Sequence, residues 1–180
     1  MTTTPMRGEL TGDYVLDIVR TRIGFAARHT IGPKVRGQFE EFEGSAHLDG
    51  DDPSKSSVRL TIQAGSFETH NRQRDNLLRG RFLNIGEHPT ITFISTGAQQ
   101  VDETTFKLTG DLTIRGVTKP ITVAFEQTGA EHDPQGNVRI HFKGGATINR
   151  KDWGVNWNAA AGLVGTKVAL EIDVAAIRQT

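Results

Sequence analysis

The sequence predicts an all-β protein of about eight antiparallel strands with one short helix, and three observations carry that prediction. Apolar residues alternate with polar ones along almost the whole chain. The segments between alternating stretches are short and turn-like. Only residues 69 to 84 abandon the alternation for a helical spacing.

The elements follow in order. Tyr14, Leu16 and Ile18 begin the stripe, and Ile23, Phe25, Ala27 and His29 continue it. Val35, Gly37 and Phe39 lead into Phe42, where the period slips by one residue, the mark of a bulge or bend. Val58, Leu60, Ile62 and Ala64 come next, after the turn-rich "LDGDDPSKSS" at 48 to 57. Ile91 and Phe93, then Phe106, Leu108 and Gly110, run into "GDLTIRGVTKPITVAFEQTG" at 110 to 129. There Leu112 and Ile114, then Ile121, Val123 and Phe125, face one way, and Thr113, Arg115, Thr122 and Glu126 the other. This is a hairpin with one wet face, turning at Gly116. Val138, Ile140 and Phe142 follow "HDPQGN", and Val168, Leu170, Ile172 and Val174 close the series. Short connections and the absence of helical crossovers require antiparallel pairing.

The exception is "THNRQRDNLLRGRFLN". Thr69 or Asn71 offers an N-cap, Arg74, Leu77, Leu78 and Arg81 recur at helical spacing, and Gly80 is placed to end the turn. A helix of about two turns, near residues 70–80, is marginal alone. It must dock, and Leu77, Leu78 and Phe82 supply the face.

Composition narrows the function. At 180 residues with 36% hydrophobic content, the chain is long enough for one sizeable core. Residues 1–10 read as a flexible tail and residues 11–180 as a single domain. Lys plus Arg and Asp plus Glu each total 21, so no overall field selects nucleic acid. Cysteine is absent, which removes thiol chemistry and thiolate metal sites. The histidines at 47, 70, 88, 132 and 141 show no metal-ligand spacing, so no metal is expected. No stretch of signal-peptide or membrane-span length stands out, which makes the cytoplasm the expected location. No Gly-x-Ser-x-Gly elbow or HExxH motif appears, and no catalytic residue is expected.

Periodicity alone leaves two architectures, a solid sandwich and a closed barrel with a filled or hollow interior. Small residues on the inner face, Ala27, Gly37, Ala64, Gly110 and Gly144, fit tight interdigitation and a hollow centre equally.

Five stretches then carry a resemblance: "YVLDIVRTRIGFAARH", "VRGQFEEFEG", "GSFETHNRQRDNLLRGRFLNIGEHPTITFIST", "LTGDLTIRGVTKPITVAFEQTG" and "INRKDWG", in this order over residues 14 to 154. Together they resemble the YceI-like family, the lipocalin-like polyisoprenoid-binding proteins. The most specific parts are the "LTGDLTIRGVTKP" hairpin and the series Asp75, Leu78, Phe82, His88 and Pro89. The resemblance implies a single extended antiparallel lipocalin-like β-barrel of about eight strands, its apolar interior holding a polyisoprenoid and its helix near one mouth.

On that implication the ligand is a polyprenyl lipid or isoprenoid quinone, carried or stored without turnover, with no other cofactor. A membrane surface is a transient partner during loading, and monomer and homodimer both remain open. Alternation selects the lining: Phe25, Phe39, Leu60, Ile62, Phe93, Leu108, Leu112, Ile114, Val123, Phe125, Ile140, Phe142, Leu170 and Ile172, with Leu78 and Phe82 from the helix. Each is equally readable as ordinary packing core. Trp153, where the family commonly has phenylalanine, would narrow the cavity it faces. His29 shares the inner face and fits either a donor to a ligand oxygen or a core histidine satisfied by a carbonyl.

Arg72, Arg74, Arg79 and Arg81 fit a headgroup receptor or a solvated helix face, with Asp75 pairing to Arg72 or Arg79. Arg150 and Asp152 fit a pair that positions a ligand or substrate and, more readily, a structural ion pair closing the barrel end. The alternatives are an enzyme on a hydrophobic substrate, using His29, Asp75 and Arg150, or a structural barrel with a filled core.

Overall fold

The computed structural model describes residues 7–29, 34–155 and 164–179, without the side chains of residues 7, 28, 29, 81, 82, 164 and 165. Eleven strands form one antiparallel sheet: β1 Gly12–Leu16, β2 Arg22–His29, β3 Lys34–Phe39, β4 Phe42–Leu48, β5 Ser57–Gln63, β6 Phe67–Glu68, β7 Thr90–Gln100, β8 Thr105–Ile114, β9 Val117–His132, β10 Val138–Asn149 and β11 Val164–Arg178. They make eight staves, because β1 with β2, β3 with β4 and β5 with β6 are single runs of chain broken by one irregularity each.

The ring closes through β11, whose first part pairs with β2 (Leu170 opposite Phe25) and whose last part pairs with β1 (Leu16 opposite Ala176). The ring closure pairs β1 with β11 and leaves the two-residue β6, which pairs with β3 alone, as the short remaining edge beside the helix. The sandwich is therefore excluded and the barrel stands.

The three irregularities lie side by side across the first three staves. At the first, a 3₁₀ turn over Ile18–Arg20 interrupts the ladder, and the buried Thr21 hydroxyl replaces it. It donates to the Ala175 carbonyl at 3.2 Å and accepts from the Ala175 N–H at 3.1 Å. At the second, the slip after Phe39, the Glu40 and Glu41 amides donate to Ser66, one to its carbonyl and one to its hydroxyl, both at 3.0 Å. Ser66 belongs to the third irregularity, the Ala64–Ser66 turn. The Thr21 and Ser66 hydroxyls and the Ser66 carbonyl thus supply partners that the broken ladders lose.

The β8–β9 hairpin turns on Arg115 and Gly116, both left-handed at φ 53° and 75°. That pair makes a type I′ turn, whose twist suits a two-residue hairpin. Outside, Thr113 meets Thr118 and Thr109 meets Thr122 through their hydroxyls, at 2.7 and 2.9 Å.

Inside, the small residues interdigitate with rings. A Cβ on Gly144 would lie 2.5 Å from the Phe125 ring and 2.4 Å from the Ala124 carbonyl oxygen. Gly37 and Gly110 lie in the same way under Phe25 and Phe93. Glycine lets each ring lie flat against the neighbouring strand. Gly144→Ala is therefore expected to cost about 1–3 kcal/mol by overpacking, read as a lower urea midpoint at constant m.

Residues 7–10 form a 3₁₀ turn; the rest of the expected tail, residues 1–6, lies outside the described residues. Tyr14, almost fully buried, donates its hydroxyl to the Leu10 carbonyl at 2.7 Å. Burial pushes this phenol up to about 12, against an opposing pull from Arg178. Its folded pKa lies above the unfolded one, so its contribution is complete below pH ~10 and is lost as pH rises toward ~12. Tyr14 is the single tyrosine, so tyrosinate absorbance follows it alone. The folded protein is expected to ionise later than the urea-unfolded chain.

Candidate functional site

The helix closes one end of the barrel, between β6 and β7. α1 spans Arg72–Leu77, and the Asn71 side chain accepts from the Arg74 amide at 3.0 Å to cap it. It continues as a π turn over Leu78–Phe82, marked by the Leu83 amide donating to the Leu78 carbonyl at 2.8 Å. The expected stop at Gly80 is thus passed, because no left-handed cap forms there.

The charges on this segment are spent on the backbone. Asp75 is 2% exposed and pairs with neither Arg72 nor Arg79. It accepts instead from the Thr69 amide and hydroxyl. Arg74 donates to the hydroxyl and carbonyl of Thr69. Arg79 donates to the carbonyls of Gly65 and Phe67, at 2.7 and 2.8 Å, with its guanidinium 5.0 Å above the Phe67 ring. The helix is clamped to the chain that precedes it, Arg72 is exposed, and the Arg81 side chain lies outside the described residues.

Beneath the helix is a cavity of about 210 Å³. The predicted Phe25, Phe39, Leu60, Ile62, Leu78, Phe93, Leu112, Ile114, Val123, Leu170 and Ile172 all line it. A second cavity of about 420 Å³ lies toward the opposite mouth and collects Leu108, Phe125, Ile140 and Phe142. Trp153 lines neither: it is 3% exposed, packs in the core and donates its indole N–H to the Leu112 carbonyl at 2.9 Å. It anchors the turn after β10 instead of narrowing the lumen. The His29 and Phe82 side chains lie outside the described residues.

Alternation also carried signals for Ile23, Ala27, Ile91, Ile121 and Val168, which line the first cavity. Phe67, Leu83 and Val155 join them from turns and short elements, where no period exists to read. The inward stripe of β10 extends to Ile148, beyond Phe142.

Arg150 is the one charged residue in the described wall of the first cavity. It is 7% exposed and donates to the Val155 carbonyl at 2.6 Å, while Asp152 is exposed, so the expected ion pair does not form. Burial pulls the guanidinium below its ordinary range. Among the described residues no cluster of histidine and carboxylate side chains could hold a metal.

The profile of the YceI-like domain matches residues 14–176. The chain belongs to the YceI-like family. A UPF0312 protein of Azotobacter vinelandii is 34% identical over 173 residues, covering 94% of this chain and 89% of that protein. A UPF0312 protein of Pseudomonas paraeruginosa is 38% identical over 158 residues, covering 87% and 81%. Among solved structures, BcnA of Burkholderia cenocepacia superimposes with a TM-score of 0.79 at 19% identity, over 89% of this chain and 98% of that one. The YceI protein of Campylobacter jejuni gives 0.75 at 26% identity, over 85% and 90%. A polyisoprenoid binding domain from Saccharophagus degradans, implicated in plant cell wall breakdown, gives 0.67 at 12%, over 92% and 98%.

Proposed function

We propose that this YceI-like domain binds an amphiphilic isoprenoid, a polyprenyl lipid or isoprenoid quinone, in its lumen and carries or stores it without turnover. The observation that carries the reading is the cavity under the helix, whose described wall is apolar except for Arg150. Such a wall favours a hydrocarbon chain and offers almost nothing to a polar substrate. At about 0.8 kcal/mol per buried methylene, one five-carbon unit has a gross transfer free energy of up to roughly 4 kcal/mol, so a few units suffice for tight binding. The structural likeness to the Saccharophagus polyisoprenoid binding domain supports the same ligand class.

The enzyme alternative loses a member of its proposed set: Asp75 is buried against Thr69 and does not line either cavity. The test is calorimetric titration with a geranylgeranyl-bearing naphthoquinone, with the extracted ligand checked afterwards by mass. Saturable binding with the quinone recovered intact is expected. No heat, or recovery of a modified quinone, would overturn the carrier reading.

A further inference from the structure

The chain as a whole is neutral, but the outer surface of the barrel is not evenly charged. The helix end also carries the β8–β9 turn and the turn after β10, and contacts tie these together. Arg115 donates from the hairpin tip to the Gly154 carbonyl at 3.2 Å, and a Cβ on Gly116 would lie 2.8 Å from the His88 imidazole. Register brings β11 and β3 to the same level: Lys167 pairs with Asn149 at the end of β10, and Lys34 pairs with Arg28, next to His29, which faces Val164. Among the described side chains of 34–36, 68–88, 115–119 and 150–167, ten are Lys or Arg and four are Asp or Glu. At the opposite end, residues 8–20, 47–55, 102–107, 126–139 and 176–178 hold five Lys or Arg and eleven Asp or Glu. Residues 30–33 and 156–163, outside the described ones, contain no ionisable side chain and leave this balance unchanged.

Pairing sharpens the contrast. Six cations of the helix end are exposed: Lys34, Arg36, Arg72, Lys119, Lys151 and Lys167. Arg36 meets Glu171 at 2.9 Å, and the other five form no ion pair among the described residues. At the far end the acids are compensated: Asp17, Glu131 and Asp133 converge on Arg139, Asp13 meets His47 and Glu9 meets His132. The five unpaired cations stand on β9, the turn after β10, β11, β3 and the start of α1, which follow one another in ring order. They form an arc around the end of the barrel that the helix closes. Most of the arc comes from strand ends distant in sequence, while Arg74 and Arg79 of the helix donate to backbone carbonyls.

We infer that the helix end is a docking face for an anionic lipid bilayer, with Lys34, Arg72, Lys119, Lys151 and Lys167 against the phosphates and the acidic end turned to water. The inference rests on the carrier reading proposed above, which supplies the reason for a lipid surface over any other polyanion: the arc surrounds the end that covers an apolar cavity, where a prenyl chain can pass from bilayer to lumen with little exposure to water. Each Lys or Arg held near an anionic surface adds about fivefold to partitioning, within a Debye length of about 8 Å at 0.15 M salt. An uneven charge also orients a neutral protein as it approaches such a surface.

Sedimentation of the full chain with sucrose-loaded vesicles tests this, using phosphatidylcholine with and without phosphatidylglycerol. Partitioning is expected to be at least about tenfold stronger to the anionic vesicles at about 0.15 M salt and to lose that advantage at about 1 M. The double variant Lys151→Glu and Lys167→Glu, its folded state checked by circular dichroism, is expected to lose at least about tenfold on anionic vesicles. Lys55→Glu, an exposed reversal at the far end, is expected to leave partitioning unchanged. The double variant's affinity for the naphthoquinone without vesicles is expected to stay within about twofold, because the exposed lysines do not line either cavity. Equal partitioning to neutral and anionic vesicles, an equal loss in Lys55→Glu, or tighter binding to a DNA duplex than to anionic vesicles would overturn the inference and leave the carrier reading intact. Loss of naphthoquinone binding in the unaltered chain would instead count against the carrier reading.

Discussion

Replacing Asp75 by alanine is expected to destabilise the protein by about 3 kcal/mol. The carboxylate is 2% exposed and accepts from both the amide and the hydroxyl of Thr69, itself 6% exposed. Hydrogen bonds to a charged group are each worth roughly 1.5–3 kcal/mol, and truncation leaves buried donors without their acceptor. Arg74 holds the same threonine from the other side, so the whole connection from β6 to α1 loosens. A lower urea midpoint at unchanged m would register the loss. A shift worth less than ~1 kcal/mol would mean that the carboxylate does not hold the Thr69 connection to α1.

Ala27→Phe is expected to weaken uptake of the naphthoquinone by about a hundredfold or more, while stability changes by no more than about 2 kcal/mol. Ala27 lines the cavity under the helix from β2, opposite Val35 on β3 and Val168 on β11. A ring there projects into the cavity of about 210 Å³ and takes up a large part of the space the ligand needs. Phenylalanine is the right probe because a dry wall offers no acceptor for an indole N–H. Calorimetric titration beside urea unfolding separates the two effects. Unchanged affinity in a folded variant would place the binding site elsewhere.

Strands were legible because a barrel wall has one wet and one dry face, and period-two alternation records that difference directly. Phe25, Leu60, Leu112 and Ile172 were found in this way. Closure was not legible, because it depends on β11 meeting β1 and β2 across more than a hundred residues of sequence. Local pattern holds no information about such pairs. The inward glycines were ambiguous for the same reason: Gly144 is explained by Phe125 on the neighbouring strand.

The expected pairing of Asp75 on the helix does not form. Helical spacing suggested Asp75 with Arg72 or Arg79, but the competing partners were backbone groups of the preceding turn, Thr69, Gly65 and Phe67. Side chain to backbone bonds of this kind depend on how the chain enters the helix, which spacing does not encode. The far cavity was missed as a separate compartment because its polar members, Asp49 and Glu103, stand in turns.

The central claim is that the lumen holds an isoprenoid, and native mass spectrometry of protein purified without detergent tests it most directly. Extraction and identification of whatever dissociates is expected to give one prenyl lipid per chain. Protein that arrives empty and takes up neither prenyl quinones nor prenyl diphosphates when offered them would contradict the claim, leaving a barrel whose interior serves packing alone.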